Sequence, residues 1–227
     1  IYGAIDYGRR TVLELAQVDY NGVVVFFDEV YTEDMSPQER ANMIADKLIS
    51  YNLSNLDLVV DSNMVADMSH YTGYDKTPFD IFQETFLLKM GKDAPIMRIV
   101  SKYSTDKKGY RCVCNEAFRN YLSWKKDENG SFIKRPKVYF TRNCRELINT
   151  LPELIQDPNS NEGLDFDQRA TPDDAYDAAK YLLMEVQSSN KPKEPKTYIT
   201  HKEYMYDKVF QPIIERSITP RVSADCI

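Results

Sequence analysis

The sequence contains no apolar run that approaches the roughly 20 residues a membrane-spanning helix needs, so it predicts no transmembrane segment. Glycine is also scarce: 8 glycines and 11 prolines among 227 residues argue against a low-complexity chain. Apolar residues are abundant, since 42% of the chain is hydrophobic and 12% is aromatic. That content is enough for a sizeable core, and the length predicts one folded domain with an appendage.

Soft metal ligands are scarce as well. The chain has 2 histidines and 4 cysteines, and Cys112 and Cys114 lie too close in sequence for the usual zinc-binding pair. We therefore expect no structural zinc site and interpret the cysteines as reduced thiols of an intracellular protein. No signal peptide is visible, because residues 1–6 predict a core strand. A chain that begins in this way, without Met, is expected to be part of a longer protein.

The charge is unevenly distributed. Residues 98–145 carry 13 Lys and Arg against 4 Asp and Glu, a local balance of +9, so a net charge of −6 leaves −15 on the rest of the chain. A basic band on an acidic body is typical of a protein that contacts a phosphate backbone and binds metal ions through carboxylates. A solvated surface of mixed charge is the simpler interpretation of any single basic cluster.

The first part of the chain predicts three antiparallel strands, at residues 2–6, 11–18 and 23–27, because Asn21-Gly22 is a strong hairpin signal. Ser36-Pro37-Gln38-Glu39 has the composition of a helix start and predicts a helix that runs to about residue 51. Residues 57–61 are an apolar run that ends in an acid. Continuous apolarity predicts a central strand that is covered on both faces.

Further along, the sequence predicts a short helix through His70 and helices at residues 78–90, 115–122 and 145–155. It predicts strands at 96–100 and 137–141, a charged hairpin at 125–135 and a polar loop at 157–168. The clearest helix covers 171–187, with Thr171 as N-cap and Asp174 as the acidic third residue. This order predicts an α/β fold: a mixed central sheet with antiparallel first three strands, flanked by helices. Residues 1–187 form this domain, and 188–227 are a linker and C-terminal tail.

Acidic residues stand at three places that such a sheet brings together if the first strand and the later buried strand are neighbours and the last helix packs beside them. Asp6 ends the first strand, Asp61 ends the later buried strand, and Asp173, Asp174 and Asp177 open the last helix. Clustered carboxylates need cations, and oxygen-only ligands suit Mg²⁺ or Mn²⁺. Two such ions can activate the attacking water and stabilise the leaving oxygen when a phosphodiester is cut.

Helix geometry ranks the three acids of the last helix. The buried stripe is Ala175, Ala178, Ala179, Leu182 and Val186, which puts Asp174 first, Asp177 second and Asp173 third as a metal ligand. Taken singly, each acid also has a structural explanation. Acids favour the first turn of a helix, and a strand-end Asp commonly accepts hydrogen bonds from loop amides. Glu29 is a further candidate ligand, because it ends a predicted strand region.

Four segments resemble motifs of the nuclease domain of the tailed-phage terminase large subunit, within the RNase H-like superfamily. Gly3-Ala4-Ile5-Asp6-Tyr7-Gly8 is similar to the family's G-x-x-D-x-G opening, and Asp28-Glu29-Val30-Tyr31 resembles its third strand. Leu58-Val59-Val60-Asp61-Ser62 looks like its second acidic motif. Asp173-Asp174-Ala175-Tyr176-Asp177-Ala178-Ala179-Lys180-Tyr181 is similar to the closing motif, although Pro172 and Asp174 stand where many members have a His.

The resemblance implies an RNase H-like fold, two Mg²⁺ or Mn²⁺ ions, and endonucleolytic cutting of double-stranded viral DNA concatemers in the host cytoplasm. It also implies an upstream packaging ATPase domain of the same polypeptide, with the portal and the small terminase subunit as partners. This sequence has no G-x-x-x-x-G-K-[ST] phosphate loop, so the ATPase motif is not in it.

Basic residues near these motifs are predicted to contact DNA. Trp124, beside two of them, is either a base-stacking residue or part of the core. The predicted contacts are Arg9 and Arg10 after the first acid, Lys107 and Lys108, and the hairpin residues Lys125, Lys126, Lys134 and Arg135.

Three other functions remain open at this point. A Holliday junction resolvase or a transposase of the RNase H-like class would use the same acids. A phosphotransferase of the actin-like class is disfavoured, because no Gly-rich loop follows Asp61. A non-catalytic packaging module would dock partners through the aromatic residues of the tail, which are Tyr198, Tyr204, Tyr206 and Phe210.

Overall fold

The structure, a computed structural model, describes residues 1–65, 76–100, 107–156, 166–167 and 171–189, without the side chains of 107–109 and 111–112. The predicted helix end at His70, most of the loop at 157–168, and the tail from residue 190 lie outside the described residues. The division into a domain at 1–187 and a tail at 188–227 therefore stays a prediction.

Six strands form the main sheet, in the order β5-β4-β1-β2-β3-β8. A separate two-stranded hairpin is made by β6 and β7. The strand bounds are β1 (Tyr2–Tyr7), β2 (Arg10–Val18), β3 (Val24–Glu33), β4 (Asp57–Val60), β5 (Ile96–Ile99), β6 (Lys125–Lys126), β7 (Phe132–Lys134) and β8 (Val138–Phe140).

Because most strands run in the same direction, the two ends of the sheet differ. Only β2 runs against the others: β1 pairs with it antiparallel and with β4 parallel, and β3 and β8 are again parallel. The ends of β1 and β4 therefore meet at one edge, which we call the carboxyl edge. The starts of β1, β3 and β8 meet at the opposite, amino edge. This arrangement confirms the predicted mixed sheet with its antiparallel first three strands.

Helices cover both faces of the sheet. They are α1 (Pro37–Ser50), α2 (Pro78–Met90), α3 (Lys107–Leu122), α4 (Arg145–Thr150) and α5 (Asp174–Ser189). Helices α1 and α2 contribute to the core on one face, and α3, α4 and α5 to the core on the other. No helix in the described part of the chain is long and apolar enough to cross a bilayer.

Two helix starts show why these segments become helical. The Ser36 hydroxyl accepts a hydrogen bond from Glu39 N, and the Glu39 carboxylate accepts one from Ser36 N, as the sequence predicted. Thr77 and Asp80 make the same reciprocal pair at the start of α2. Each pair satisfies two amide groups that would otherwise lack partners, and loss of such a cap typically costs about 1 kcal/mol.

The last helix begins later than predicted. It starts at Asp174, and Thr171 is not its N-cap, because the Thr171 hydroxyl donates to the carbonyl of Glu153 instead. Other bounds also differ: β3 is longer than predicted, α3 begins at Lys107, and the helix expected at 145–155 breaks into α4 and a 3-10 turn (Leu151–Glu153). Pro152 lies in that turn and cannot donate the backbone hydrogen bond that would continue an α-helix.

The sheet separates two apolar cores. Ala4, Val12 and Val59 face the core formed with α3, α4 and α5, while their neighbours Ile5, Leu13 and Val60 face the core formed with α1 and α2. Because side chains alternate along a strand, Asp6 and Asp61 share the α5 face with Ala4 and Val59. The two acids therefore lie where the end of the sheet meets the last helix.

Gly3 allows a close approach on the other face of β1. A Cβ atom at this position would lie 2.5 Å from Leu58 Cδ2 and 3.2 Å from Leu15 Cδ2. The two leucines fill the space that a side chain would need, so the α1–α2 core packs tightly on the strand that carries Asp6.

We predict that Gly3→Val lowers the free energy of unfolding by about 1–3 kcal/mol through overpacking. Urea unfolding monitored by circular dichroism measures the change. Gly8→Ala is the matched control, because a Cβ there would meet only Arg10 O at 3.4 Å, an ordinary contact. Equal stability of Gly3→Val and the parent would show that the leucine packing is not restrictive.

Candidate active site

Asp6 and Asp61 are neighbours at the carboxyl edge. Strands β1 and β4 are in register at Ile5 and Val60, one residue before each acid, and Asp61 N donates to Ile5 O at 3.0 Å. Parallel pairing of β1 with β4 is thus what brings the two carboxylates side by side.

Asp61 also performs the structural role that a strand-end acid commonly has. One carboxylate oxygen accepts from Ser62 N at 2.7 Å, and the other accepts from Asn63 N at 3.3 Å. Asp61 itself is buried. These bonds fix the orientation of the carboxylate at the edge, and an ionised carboxylate oxygen retains further lone pairs for another partner.

Helix α5 adds three acids around Asp6. The pKa of Asp6 is raised well above its ordinary value, by burial first and then by the negative charges of Asp177, Asp61, Asp174 and Asp173. The other four predicted acids are therefore all close enough to act on Asp6. Asp177 affects Asp6 more than Asp174 does, although Asp174 ranked first on helix geometry.

Two basic side chains of the protein neutralise part of this charge. Arg10 Nε lies 3.2 Å from Asp174 Oδ2, and Lys180 Nζ pairs with Asp177 at 2.5 Å. Burial raises the pKa of Asp174, and the charge of Arg10 opposes that rise. Lys180 is itself buried, with its ammonium group over the ring of Tyr176 at 5.1 Å.

Tyr181 borders the acids on the helix side. Burial raises the pKa of its phenol, and the charges of Asp177, Asp6 and Asp61 raise it further. The phenol therefore stays protonated at neutral pH and is available as a hydrogen-bond donor near the carboxylates. The sequence placed Lys180 and Tyr181 in the closing motif but assigned them no role.

Arg40 fixes the turn that follows Asp6. From α1, its Nη1 donates to Gly8 O at 2.5 Å and to Thr11 Oγ1 at 2.7 Å, and its Nη2 donates to Arg9 O at 2.7 Å. Its guanidinium group also lies over the Tyr7 ring at 5.4 Å. Sequence analysis missed this residue, because nothing in a helix pattern shows that a buried Arg will meet a distant turn.

The donor set at this edge fits a hard divalent cation. Within the described residues, no three His, Cys, Asp or Glu side chains stand close enough, as they lie here, to bind one metal ion. Asp6 and Asp61 nevertheless remain adjacent, and neither is paired with a basic side chain among the ion pairs described above. Mg²⁺ commonly uses only one or two carboxylates and retains water in its other positions.

The predicted DNA-contacting residues lie in different parts of the molecule. Arg10 is in the acidic site, where it pairs with Asp174, and Arg9 is exposed and pairs with Asp34 at 3.1 Å. Lys107 and Lys108 begin α3, but their side chains lie outside the described residues. The hairpin that carries Lys125, Lys126, Lys134 and Arg135 leads directly into β8, whose first residue, Val138, pairs with Val24 at the amino edge. The hairpin is therefore attached at the edge of the sheet opposite to the one that carries Asp6.

Glu29 stands apart from the acids around Asp6. Its carboxylate accepts from Glu146 N at 2.6 Å and Leu147 N at 3.3 Å, which ties β3 to the start of α4. Its cross-strand neighbour is Glu14, not Asp6. Its role as a metal ligand remains untested, and its observed partners give it a structural one.

Glu14 and Glu29 form a second acidic pair inside the protein. Glu14 is 0% exposed, and neither of its carboxyl oxygens has a hydrogen-bond partner that would stabilise a negative charge. The pKa of Glu14 is raised well above its ordinary value, by burial first and then by Glu29. We infer that Glu14 is protonated in the folded protein. Burial also raises the pKa of Glu29, but the backbone amides of Glu146 and Leu147 oppose that rise.

We predict that Glu14→Gln makes the protein progressively more stable than the parent as pH rises. A carboxyl group whose pKa is higher in the folded state binds protons more tightly there, so the parent's free energy of unfolding falls as pH rises from the ordinary Glu range to the raised pKa. Because Gln does not titrate, the variant does not lose free energy of unfolding in this pH range through residue 14. Urea unfolding of both proteins between pH 4 and 8 measures the difference.

The control for this comparison is Glu116→Gln, because Glu116 is exposed on α3. We expect its stability to follow the parent at every pH. If Glu14→Gln showed the same pH dependence as the parent, Glu14 would be ionised in the fold.

Comparison with known proteins gives structural matches only. No protein-family model and no curated protein matches the sequence. Among solved structures, the nuclease domain of the large terminase of bacteriophage SPP1, solved with bound Mn, has a TM-score of 0.46 at 10% identity, over 81% of this chain and 85% of that one. The nuclease domain of the large terminase subunit of bacterial virus Sf6 has a TM-score of 0.45 at 14% identity, over 80% and 86%.

Two other solved structures also match this chain. The yeast mitochondrial Holliday junction resolvase has a TM-score of 0.43 at 13% identity, over 82% of this chain and 80% of that one. The large terminase of the thermophilic bacteriophage D6E is matched at 15% identity and a TM-score of 0.44, and this chain spans 40% of its length. Terminase nuclease domains, which the sequence motifs resemble, are thus among the matching structures.

Proposed function

We propose that this protein is a metal-dependent endonuclease that cuts double-stranded DNA. The observation that supports the proposal is the Asp6–Asp61 pair at the carboxyl edge, with the acids of α5 beside it. Burial and neighbouring negative charge raise the pKa of Asp6, so the site favours a bound cation. Cations at such an edge attract the negatively charged phosphodiester, which a bare acidic site would repel.

Asp6 and Asp61 are the proposed primary metal ligands, with Asp177, Asp174 and Asp173 as further ligands for a second ion. Mg²⁺ or Mn²⁺ bound there would supply a water molecule of lowered pKa and stabilise charge on the phosphate. Asp61 is held in place by the amides of Ser62 and Asn63, and the turn after Asp6 is held by Arg40. The protein's part in this scheme is to keep two carboxylates in a fixed arrangement.

Arg10 and Lys180 are the protein's own counter-ions in the site. Each is bonded to an acid of α5, so these acids are partly neutralised before any metal binds. A second ion at Asp174 or Asp177 would compete with these pairs. We therefore propose that the Asp6–Asp61 position is the stronger of two metal positions.

The biological setting that we propose is genome packaging by a tailed phage. The closing motif, Asp173 to Tyr181, supports it by its resemblance to the terminase family. In that setting the substrate is concatemeric viral DNA in the host cytoplasm, an ATPase domain precedes this chain in the same polypeptide, and the portal and small terminase subunit are partners. Arg9, in the turn after Asp6, would contact the DNA backbone near the cut, and the hairpin lysines would contact it at the opposite edge of the sheet.

We predict that the protein nicks supercoiled plasmid in Mn²⁺ or Mg²⁺ and not in EDTA. Asp6→Asn and Asp61→Asn are each expected to reduce the cleavage rate by about 100-fold or more, because each removes a charged metal ligand and about 3 kcal/mol of transition-state stabilisation corresponds to that factor. Gel analysis of nicked and linear products over time measures the rate.

Asp46→Asn is the matched control, since Asp46 is an exposed acid of α1 paired with Lys89. Its cleavage rate is expected to equal that of the parent. Cleavage in EDTA, or cleavage that survives both active-site substitutions, would contradict the proposal. A marked preference for a four-way junction over linear duplex would instead assign the same acids to a resolvase.

We predict that Mn²⁺ stabilises the parent against heat and does not stabilise Asp6→Asn. A ligand that binds only the folded state adds about 2.7 kcal/mol when its concentration is roughly 100 times its Kd. Without metal, Asp6→Asn is expected to be more stable than the parent at neutral pH. The raised pKa of Asp6 means that the parent loses stability as pH rises, and Asn does not ionise.

Thermal melts with and without Mn²⁺, with Asp46→Asn as the control that keeps the shift, test this prediction separately from activity. An equal Mn²⁺ shift in the parent and in Asp6→Asn would place the metal elsewhere.

A further inference from the structure

The β6–β7 hairpin stands out from the body of the protein. Every residue from Trp124 to Arg135 is exposed, so no other described part of the chain covers it. The turn itself is well ordered by hydrogen bonds: the Asp127 carboxylate accepts from Asn129 N at 3.0 Å and from Ser131 N at 2.8 Å. Gly130 takes the positive φ of +80° that the turn requires. The hairpin is thus an ordered element that projects from the body of the protein.

The hairpin exposes aromatic rings that a folding core would normally bury. Trp124 is 60% exposed and Phe132 is 46% exposed, with their ring centroids 6.2 Å apart in an edge-to-face arrangement. Ile133, the next residue of β7, is also exposed, at 63%. Two large apolar rings exposed in contact with each other commonly mark a binding surface.

Cations lie directly beside these rings. Lys126 Nζ is 4.7 Å from the centroid of Phe132 and 5.7 Å from that of Trp124, and the Arg135 guanidinium group is 5.5 Å from Phe132. Residues 124–135 carry four basic and two acidic side chains, a balance of +2 on a protein whose net charge is −6. Both acids belong to the turn segment, so the strands themselves are purely basic and apolar.

We infer that the hairpin is a binding site for unpaired nucleotides of a DNA strand, with Trp124 and Phe132 as stacking platforms and Lys126 and Arg135 as phosphate contacts. Single-stranded nucleic acid is bound by aromatic rings that stack on bases next to cations that contact the backbone. A base inside a duplex has both faces covered by its neighbours and offers no such surface. An acidic protein partner would match the charge but would leave the two rings without planar groups to stack on.

The position of the hairpin makes this a second site. It is attached at the amino edge, while Asp6 lies at the carboxyl edge, and a six-residue strand such as β1 separates the two edges by about 20 Å. The inference therefore goes beyond the proposed cleavage: the hairpin would hold a frayed or single-stranded segment at a distance from the cut.

The single tryptophan of the chain is the probe for this site. Because the sequence contains 1 Trp, fluorescence excited at wavelengths that its 16 tyrosines do not absorb reports on Trp124 alone. We expect a dT oligonucleotide of about 12 nucleotides, titrated into the full chain in EDTA, to quench this fluorescence by stacking. A blunt duplex of the same length, closed at both ends by G·C pairs that resist fraying, is expected to quench it little.

Variants separate stacking from simple charge attraction. By anisotropy of a labelled oligonucleotide, Trp124→Leu and Phe132→Leu are each expected to bind about 5- to 150-fold more weakly, the range that loss of one stacked base implies. Lys126→Gln is expected to lower the salt dependence of binding by roughly one phosphate contact. Tyr20→Leu is the matched control, because Tyr20 is 97% exposed in the β2–β3 turn, and its affinity should equal the parent's.

Absence of quenching, equal affinity for the closed duplex, or unchanged binding by both aromatic variants would overturn the inference. The readouts need no metal and no cleavage, so they do not depend on the proposed nuclease activity. Metal-dependent nicking without oligonucleotide binding would reject the hairpin site alone. Oligonucleotide binding without nicking would retain the site and reject the nuclease.

Discussion

Electrostatic repulsion among the carboxylates around Asp6 is the constraint on which the rest of the site depends. Parallel pairing of β1 and β4 puts Asp6 beside Asp61, and the start of α5 adds three more acids. Such a cluster is stable only if protons or cations offset its negative charge. The protein supplies two of them, Arg10 and Lys180, and the remaining charge at Asp6 and Asp61 is the part that a divalent ion would neutralise.

The same constraint explains the rigid surroundings of the site. Hydrogen bonds from Ser62 and Asn63 orient Asp61, and Arg40 holds three groups in the turn beyond Asp6. Without these bonds, repulsion would favour conformations in which the carboxylates point away from one another. Fixing the backbone on both strands keeps the carboxylates together without a metal, which reduces the reorganisation that metal binding would require.

The acids and the exposed aromatic residues occupy opposite ends of one sheet. This separation follows from strand direction: β1 and β4 end at the carboxyl edge, whereas the β6–β7 hairpin precedes β8, which begins at the amino edge. A basic projection next to the acids would be drawn into ion pairs with them, as Arg10 is. At the amino edge, Lys126 and Arg135 instead lie beside aromatic rings and remain exposed.

Much of this protein follows from its sequence alone. The hairpin signal at Asn21-Gly22, the cap at Ser36 and the apolar run before Asp61 are local patterns, and local patterns determine strands, helices and the order that defines the mixed sheet. They also identified the acids that the sheet brings together. Only the tertiary structure decided which acids form ion pairs with basic side chains and that Arg40 fixes the turn after Asp6. It also decided that Glu29 lies beside Glu14 and that Trp124 is exposed. Each of these features depends on contacts between side chains from elements that are distant in sequence. Charge pairing and burial arise from those contacts, so the spacing of residues within one segment cannot predict them.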